Sequence, residues 1–326
     1  MVGLSVNAGT SSLDATIARD GIGGVVLLGG WTGFWPVRAA TSHLAGEPTA
    51  GLGVLIAADQ EGGEVQQLRG SGFSAIPSAL TQGTQSTSQE TASAAVWARE
   101  IRAAGVNVNL APVADTVPAS LGTANGPIGH WYREFSSDPD QVARMVAAFV
   151  TGMHIGGVAV TLKHYPGLGR ITNNTDLSAT GITDTTTTVD DPYLRPFAAG
   201  IRSGANLVMV SSAIYSRLDP GVNAVFSHRI ITDILRGRLG WGGVTISDDV
   251  GAAASVANVP VGQRAVRFIE AGGDIVLTAR PSDADVMAAA IVAEAAIDPV
   301  FAARVLESTT RVIALKVARG LARCQG

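Results

Sequence analysis

Residues 138–170 read DPDQVARMVAAFVTGMHIGGVAVTLKHYPGLGR, and the fold is decided inside this stretch. Asp138 offers a side-chain oxygen to cap a helix, Pro139 suits its first position, and Gln141 stands where a capping box places its partner. Val142, Met145, Val146, Phe149, Val150 and Met153 then recur on one helical face, and Gly156-Gly157 ends the helix. The run 158–162 is apolar without alternation, as expected of a parallel strand buried on both faces. Lys163 and His164 follow, and Pro166, Gly167 and Gly169 turn the chain. Helix, buried strand and charged turn, in that order, form the repeating unit of an α/β fold.

Outward from this unit the pattern repeats. Apolar runs at 2–6, 24–28, 54–58, 106–110, 158–162, 207–210, 244–246 and 275–277 alternate with amphipathic segments. Thr87 with Glu90 is read as starting one helix that reaches Ala104 before Gly105. Ser227 is read as capping another, with Ile230, Ile231, Ile234 and Leu235 facing inward and Gly240 stopping it. Eight strands without a linker or a break in composition predict a single (β/α)8 TIM barrel spanning residues 1–326. A doubly wound sheet would need a phosphate-binding glycine turn after the first strand, and Asn7-Ala8-Gly9-Thr10 is a poor match.

Composition narrows the function. Of 326 residues, 15% are charged and 46% hydrophobic, which excludes a disordered chain. Soluble domains carry about 25% charged residues, so each ionisable group here stands out. A net charge of −4 gives no basic stripe for nucleic acid. A lone cysteine, Cys324, leaves no disulfide or multi-cysteine metal site. The longest apolar run, 21–31, is about half of a membrane span. Met1 opens into apolar sequence without a basic leader or cleavage pattern. That suits a cytoplasmic chain, or a cell-envelope protein whose leader has been removed.

Two connections are long, 112–137 and 164–190. The second is rich in Thr, Asn and Asp, which build no core, and its place after a strand predicts a flap over a site. Three segments set charges at strand ends. Asp59-Gln60-Glu61-Gly62-Gly63 offers carboxylates to sugar hydroxyls or caps a helix. Lys163-His164 needs a negative partner if buried; the lysine could equally be a Schiff-base nucleophile. Ser247-Asp248-Asp249 suggests a nucleophile, a metal ligand or a cap. Side chains alternate along a strand, so one aspartate is expected to face the site while the other supports it.

Together these segments resemble the glycoside hydrolase family 3 N-acetyl-β-glucosaminidases of NagZ type, most of all the LpqI-like branch. The resemblance covers nearly the whole chain. It rests on DQEGG at 59–63, Arg133 before a Ser-Asp-Pro helix start, KHYPGLG at 163–169 and SDD at 247–249. It implies a barrel fold and retaining, exo-acting release of terminal β-linked N-acetylglucosamine from cell-wall-derived or related glycans, with no cofactor or metal. Asp248 matches the nucleophile, and Asp59, Arg133, Lys163 and His164 match positions that hold the terminal sugar; Arg69 is a further candidate. The flap departs from the family. Where the family has Asp-Ser-His, with the histidine as general acid/base, this chain has Asn174-Thr175-Asp176. Asp176 is the expected replacement, with Asp184 as an alternative; impaired catalysis, phosphate as acceptor, or glycan binding alone would follow if neither serves.

His130, Trp131 and Tyr132, beside Arg133, could form an aromatic wall for a sugar or pack their loop onto the barrel. His154 and His228 are expected to be structural, and Asp274, preceding an apolar strand, to cap or pair. Asn173-Asn174-Thr175 fits a glycosylation sequon, a short match that arises easily by accident.

Overall fold

The computed structural model describes residues 1–47 and 51–322; Cys324 lies outside the described residues. The apolar runs become eight parallel strands: β1 (Val2–Ser5), β2 (Gly24–Leu28), β3 (Leu55–Ala58), β4 (Val108–Asn109), β5 (Ala159–Tyr165), β6 (Leu207–Val210), β7 (Val244–Asp249) and β8 (Ile275–Leu277). They are hydrogen-bonded in chain order. The sheet then returns on itself. Val2 bridges Thr278 in parallel, Gly3 N–H donates to Thr278 O at 2.9 Å, and Thr278 N–H donates to Met1 O at 3.0 Å. A doubly wound sheet reverses strand order at a switch point; this order never reverses, so the fold is a (β/α)8 barrel. Among the described residues no helix is long and apolar enough to cross a membrane.

Strand side chains divide between two apolar clusters. Val26, Leu55, Val108, Leu207, Met209 and Ile246 belong to one that fills the barrel. Val25, Leu27, Ile56, Val160 and Val208 join the helices outside. The outer layer is α1 (Asp14–Asp20), α2 (Phe34–Ala45), α3 (Thr87–Ala103), α4 (Pro139–Gly156), α5 (Arg195–Arg202), the π-type α6 (Arg229–Arg238), α7 (Val261–Glu270), α8 (Ala284–Ile297) and α9 (Pro299–Ala318).

Several boundaries differ from the sequence reading, each for a local reason. β5 continues through Lys163 and His164 to Tyr165, and β7 through Asp248 to Asp249. Carboxylates meet Lys163 and His164 and backbone N–H groups meet Asp248 and Asp249, so the backbone stays extended where polarity suggested a loop. β4 shrinks to two residues, with Asn109 Oδ1 accepting from Gln60 N–H at 3.1 Å. Ser86, not Thr87, caps α3, and Gln89 completes its capping box; Glu90 is buried instead. Asp138 caps α4 as expected, but Gln141 forms no box. Its amide donates to Gly83 O at 2.8 Å and its carbonyl accepts from Ser136 Oγ at 2.9 Å. Ser227 Oγ accepts from Ile230 N–H at 3.0 Å, at the start of α6.

Candidate active site

A cavity of about 310 Å³ opens at the C-terminal ends of the strands, lined by Asp59, Arg133, Lys163, His164, Asp248, Asp249 and the flap residues Asn174, Thr175 and Asp176. Active sites of (β/α)8 barrels sit at this end. Val26, Leu28, Leu110, Met209 and Leu277 also line it, so the charged groups stand above apolar barrel side chains.

The floor is an ion network. Lys163 is almost wholly buried, and its Nζ lies 2.5 Å from both Asp59 Oδ1 and Glu61 Oε1. Arg133 donates from Nε and Nη2 to the two oxygens of Glu61 at 2.9 and 2.8 Å, the bidentate geometry that suits guanidinium and carboxylate. Burial alone would raise the pKa of Glu61, but Arg133 and Lys163 outweigh it and hold the carboxyl at about 2. Burial likewise opposes the charge on Lys163, while Asp59 and Glu61 overcome it and raise its pKa. A Schiff-base lysine needs a depressed pKa; Lys163, held between two carboxylates and raised in pKa, is placed as a cation and not as a Schiff-base nucleophile. Glu61 was not among the expected site residues, although it lies inside the quoted DQEGG turn. That turn depends on glycine: Gly62 has a φ of +111°, and a Cβ there would sit 2.2 Å from Pro77 O.

Asp115, fully buried, is a second residue the sequence reading missed. Its carboxylate accepts from His164 Nδ1 at 2.8 Å, from His164 N–H at 3.2 Å and from Leu168 N–H at 2.8 Å. With the Nδ1 proton committed to Asp115, Nε2 of His164 is left facing Arg133 Nη2 at 3.4 Å and the cavity. Asp115 thereby fixes both the ring and the first turn after β5. Nothing local in sequence marks it, since it follows β4 and acts on a residue far along the chain.

Asp248 and Asp249 both line the cavity, where strand alternation led us to expect one alone, but their bonding differs. Asp249 Oδ1 accepts from Gly251, Ala252 and Ala279 N–H at 2.8, 3.2 and 3.1 Å, tying the ends of β7 and β8 together. Among the described residues Asp248 Oδ1 accepts only from Asp249 N–H, at 2.9 Å, and Asp248 lines the cavity.

The segment 166–190 does form a flap. Thr175 O accepts from Ser255 N–H at 3.0 Å and Asp176 O from Ala254 N–H at 3.1 Å, docking it on the loop after β7. Asn174 Oδ1 accepts from Asp176 N–H at 2.9 Å, so Asn174 shapes the flap turn. Asp176 keeps exposed surface at the cavity mouth. Its carboxyl is nonetheless crowded there, and burial, then the charge of Asp248, raise its pKa to about 6.

Other candidates fall elsewhere. Arg69 does not line the cavity; it donates to Gln66 O and Glu64 O at 2.6 and 3.0 Å and braces its own loop. Asp184, also outside the cavity, accepts from Thr186 and Thr187 N–H at 2.7 and 2.9 Å. His154 pairs with Asn206 at 3.1 Å, and His228 stands at the surface. Among the described residues, metal-ligand spacing occurs at Asp14, His43 and Glu47. None of these lines the cavity, and His43 already bonds Asp14 at 2.8 Å.

Comparison with known proteins agrees with this geometry. Residues 4–315 match the model of the glycosyl hydrolase family 3 N-terminal domain. A beta-hexosaminidase of Xanthomonas oryzae pv. oryzae is 38% identical over 276 residues, covering 81% of this chain and 78% of that protein. The crystal structure of a beta-N-acetylhexosaminidase from Beutenbergia cavernae is 45% identical with a TM-score of 0.92, covering 97% of this chain and 96% of that one. M. tuberculosis LpqI is 26% identical with a TM-score of 0.80, covering 97% and 91%. With a closed barrel and a charged cavity at the strand ends where the motifs meet, the chain belongs to glycosyl hydrolase family 3.

Proposed function

We propose that the protein is a retaining, exo-acting N-acetyl-β-glucosaminidase. The observation that carries this is the pair Asp248 and Asp176 on one cavity, the first with a single backbone donor and the second pushed towards its protonated form. A double-displacement glycosidase needs two such carboxyl groups, one to attack the anomeric carbon and one whose raised pKa lets it donate a proton. Relatives named as hexosaminidases support the choice of sugar.

In the first step an oxygen of Asp248 bonds to the anomeric carbon as the bond to the leaving group breaks. Asp176 gives its proton to the departing oxygen. In the second step Asp176, now a carboxylate, takes a proton from water while the water oxygen displaces Asp248. Lys163, Arg133 and Asp59 offer charge-assisted hydrogen bonds to the terminal sugar, and His164 Nε2 adds a further polar contact at the cavity wall. The expected glycans are cell-wall-derived or related chains ending in β-linked N-acetylglucosamine.

A 5-fluoro-N-acetylglucosaminyl fluoride should label the protein, and peptide mass spectrometry should find the sugar on Asp248. Asp248→Ala should abolish release of a chromophore from an aryl N-acetyl-β-glucosaminide. Full turnover in that variant, or label on another residue, would refute the assignment.

A further inference from the structure

The loop after β4 leaves the cavity at Pro127 and rejoins it at Arg133, both of which line it. Arg133 Nη1 closes the turn by donating to Pro127 O at 2.8 Å. The crest between them is His130, Trp131 and Tyr132, all exposed, with Trp131 and Tyr132 at 43% and 48%. Of the two roles open to these aromatics from sequence, packing the loop onto the barrel falls to the buried Ile128 and Gly129 instead.

The crest is held outward. Tyr132 has a φ of 54° and is the one non-glycine residue with positive φ among the described residues. A bulky residue stays in that region only where its surroundings hold it. Here Tyr132 N–H donates to Gly129 O and its carbonyl accepts from Leu80 N–H, each at 3.2 Å. His130 and Trp131 meet edge to face with ring centroids 4.8 Å apart, which steadies the indole. Exposed apolar residues scattered singly mean little, but adjoining aromatics beside a cavity mouth mark a ligand surface.

We infer that Trp131 and Tyr132 form a platform for the sugar on the leaving-group side of the scissile bond. This rests on the glycosidase reading above. An exo-acting site takes the terminal sugar into the cavity, so the rest of the glycan must leave past the rim. A pyranose ring offers an apolar C–H face, and tryptophan and tyrosine offer flat apolar faces with a polar edge. Continuity with the cavity singles out a glycan chain as the occupant.

The test uses full-length Asp248→Ala protein, which holds substrate without turning it over. Trp131→Ala and Tyr132→Ala are added, and calorimetry measures triacetylchitotriose against free N-acetylglucosamine, which fills the cavity alone. The double variant should bind the trisaccharide about tenfold more weakly, with monosaccharide affinity unchanged. Trp131→Phe with Tyr132→Phe should restore most of the loss. Equal weakening for both ligands would mean that the aromatics act through Arg133, and unchanged affinity for both would mean that they touch no sugar; either result overturns the inference. If the parent protein binds neither sugar, the glycosidase reading itself falls and takes the platform with it.

Discussion

Asp176 and Glu61 are both carboxyl groups, and their surroundings move them in opposite directions. Burial and Asp248 raise Asp176 to about 6, and a general acid works only while protonated. The value kcat/KM should therefore fall as pH rises through about 6, close to tenfold per unit beyond it. Asp176→Ala should lose that limb, suffer most on substrates with poor leaving groups, and recover with azide on activated ones. Equal loss on both substrate types without rescue would remove Asp176 from its role. Glu61 is held at about 2 against an ordinary 4.5. Its folded pKa is lowered, so its contribution to stability is present above about 4.5 and is lost as pH falls through about 2. Glu61→Gln leaves Lys163 and Arg133 short of a partner, and should cost about 3–5 kcal/mol at neutral pH. Denaturant unfolding should show that gap narrowing in acid. Motif residues such as Asp59, Lys163 and Asp248 were legible because a charge beside a buried strand is conspicuous. Asp115 was not, because its meaning comes from a partner 49 positions away.

At the scale of elements, apolar runs located every strand of the barrel but misjudged where β5 and β7 end. Polarity is a reliable stop signal only when water receives the charge; here Glu61 receives Lys163 and Asp115 receives His164, so strand and site overlap. The flap depends on the same overlap. Gly169 lies at its root, and a Cβ there would stand 1.8 Å from Thr116 O, a backbone atom beside the Asp115 that orients His164. Gly169→Ala should lift the flap root off the β4 loop and move Asp176 from the leaving oxygen. Misplacement by about 1 Å can cost about a hundredfold in rate. The variant should thus lose kcat far more than it gains KM, while circular dichroism reports an intact barrel. Unchanged kcat would show that the flap is positioned by its docking on Ala254 and Ser255 alone.

Across the whole molecule two clusters of buried charge stand at opposite ends of the barrel. Asp59, Lys163, His164, Asp176 and Asp248 gather where strands finish, whereas Asp274 immediately precedes β8. The sequence suggested only that Asp274 caps or pairs; its partners come from α6 and α9, which no local pattern reveals. Its fully buried carboxylate accepts from Arg236 at 2.6 Å, Arg304 at 2.8 Å, Arg311 at 3.2 Å and Thr245 N–H at 2.8 Å. One anion thus ties two helices to β7 and β8 at the end opposite the cavity. Removing it leaves three partly buried arginines crowded together, so Asp274→Ala should destabilise the fold by about 3–5 kcal/mol. Barrels place stability and catalysis at opposite ends, and the cavity network shares no residue with this one. At a temperature where the variant stays folded, its kcat/KM should therefore match the wild type within about twofold, while thermal unfolding shifts down by several degrees. A loss of kcat/KM in folded Asp274→Ala would instead mean that α6 and α9 transmit strain along β7, from Thr245 at the ion cluster to Asp248 on the same strand.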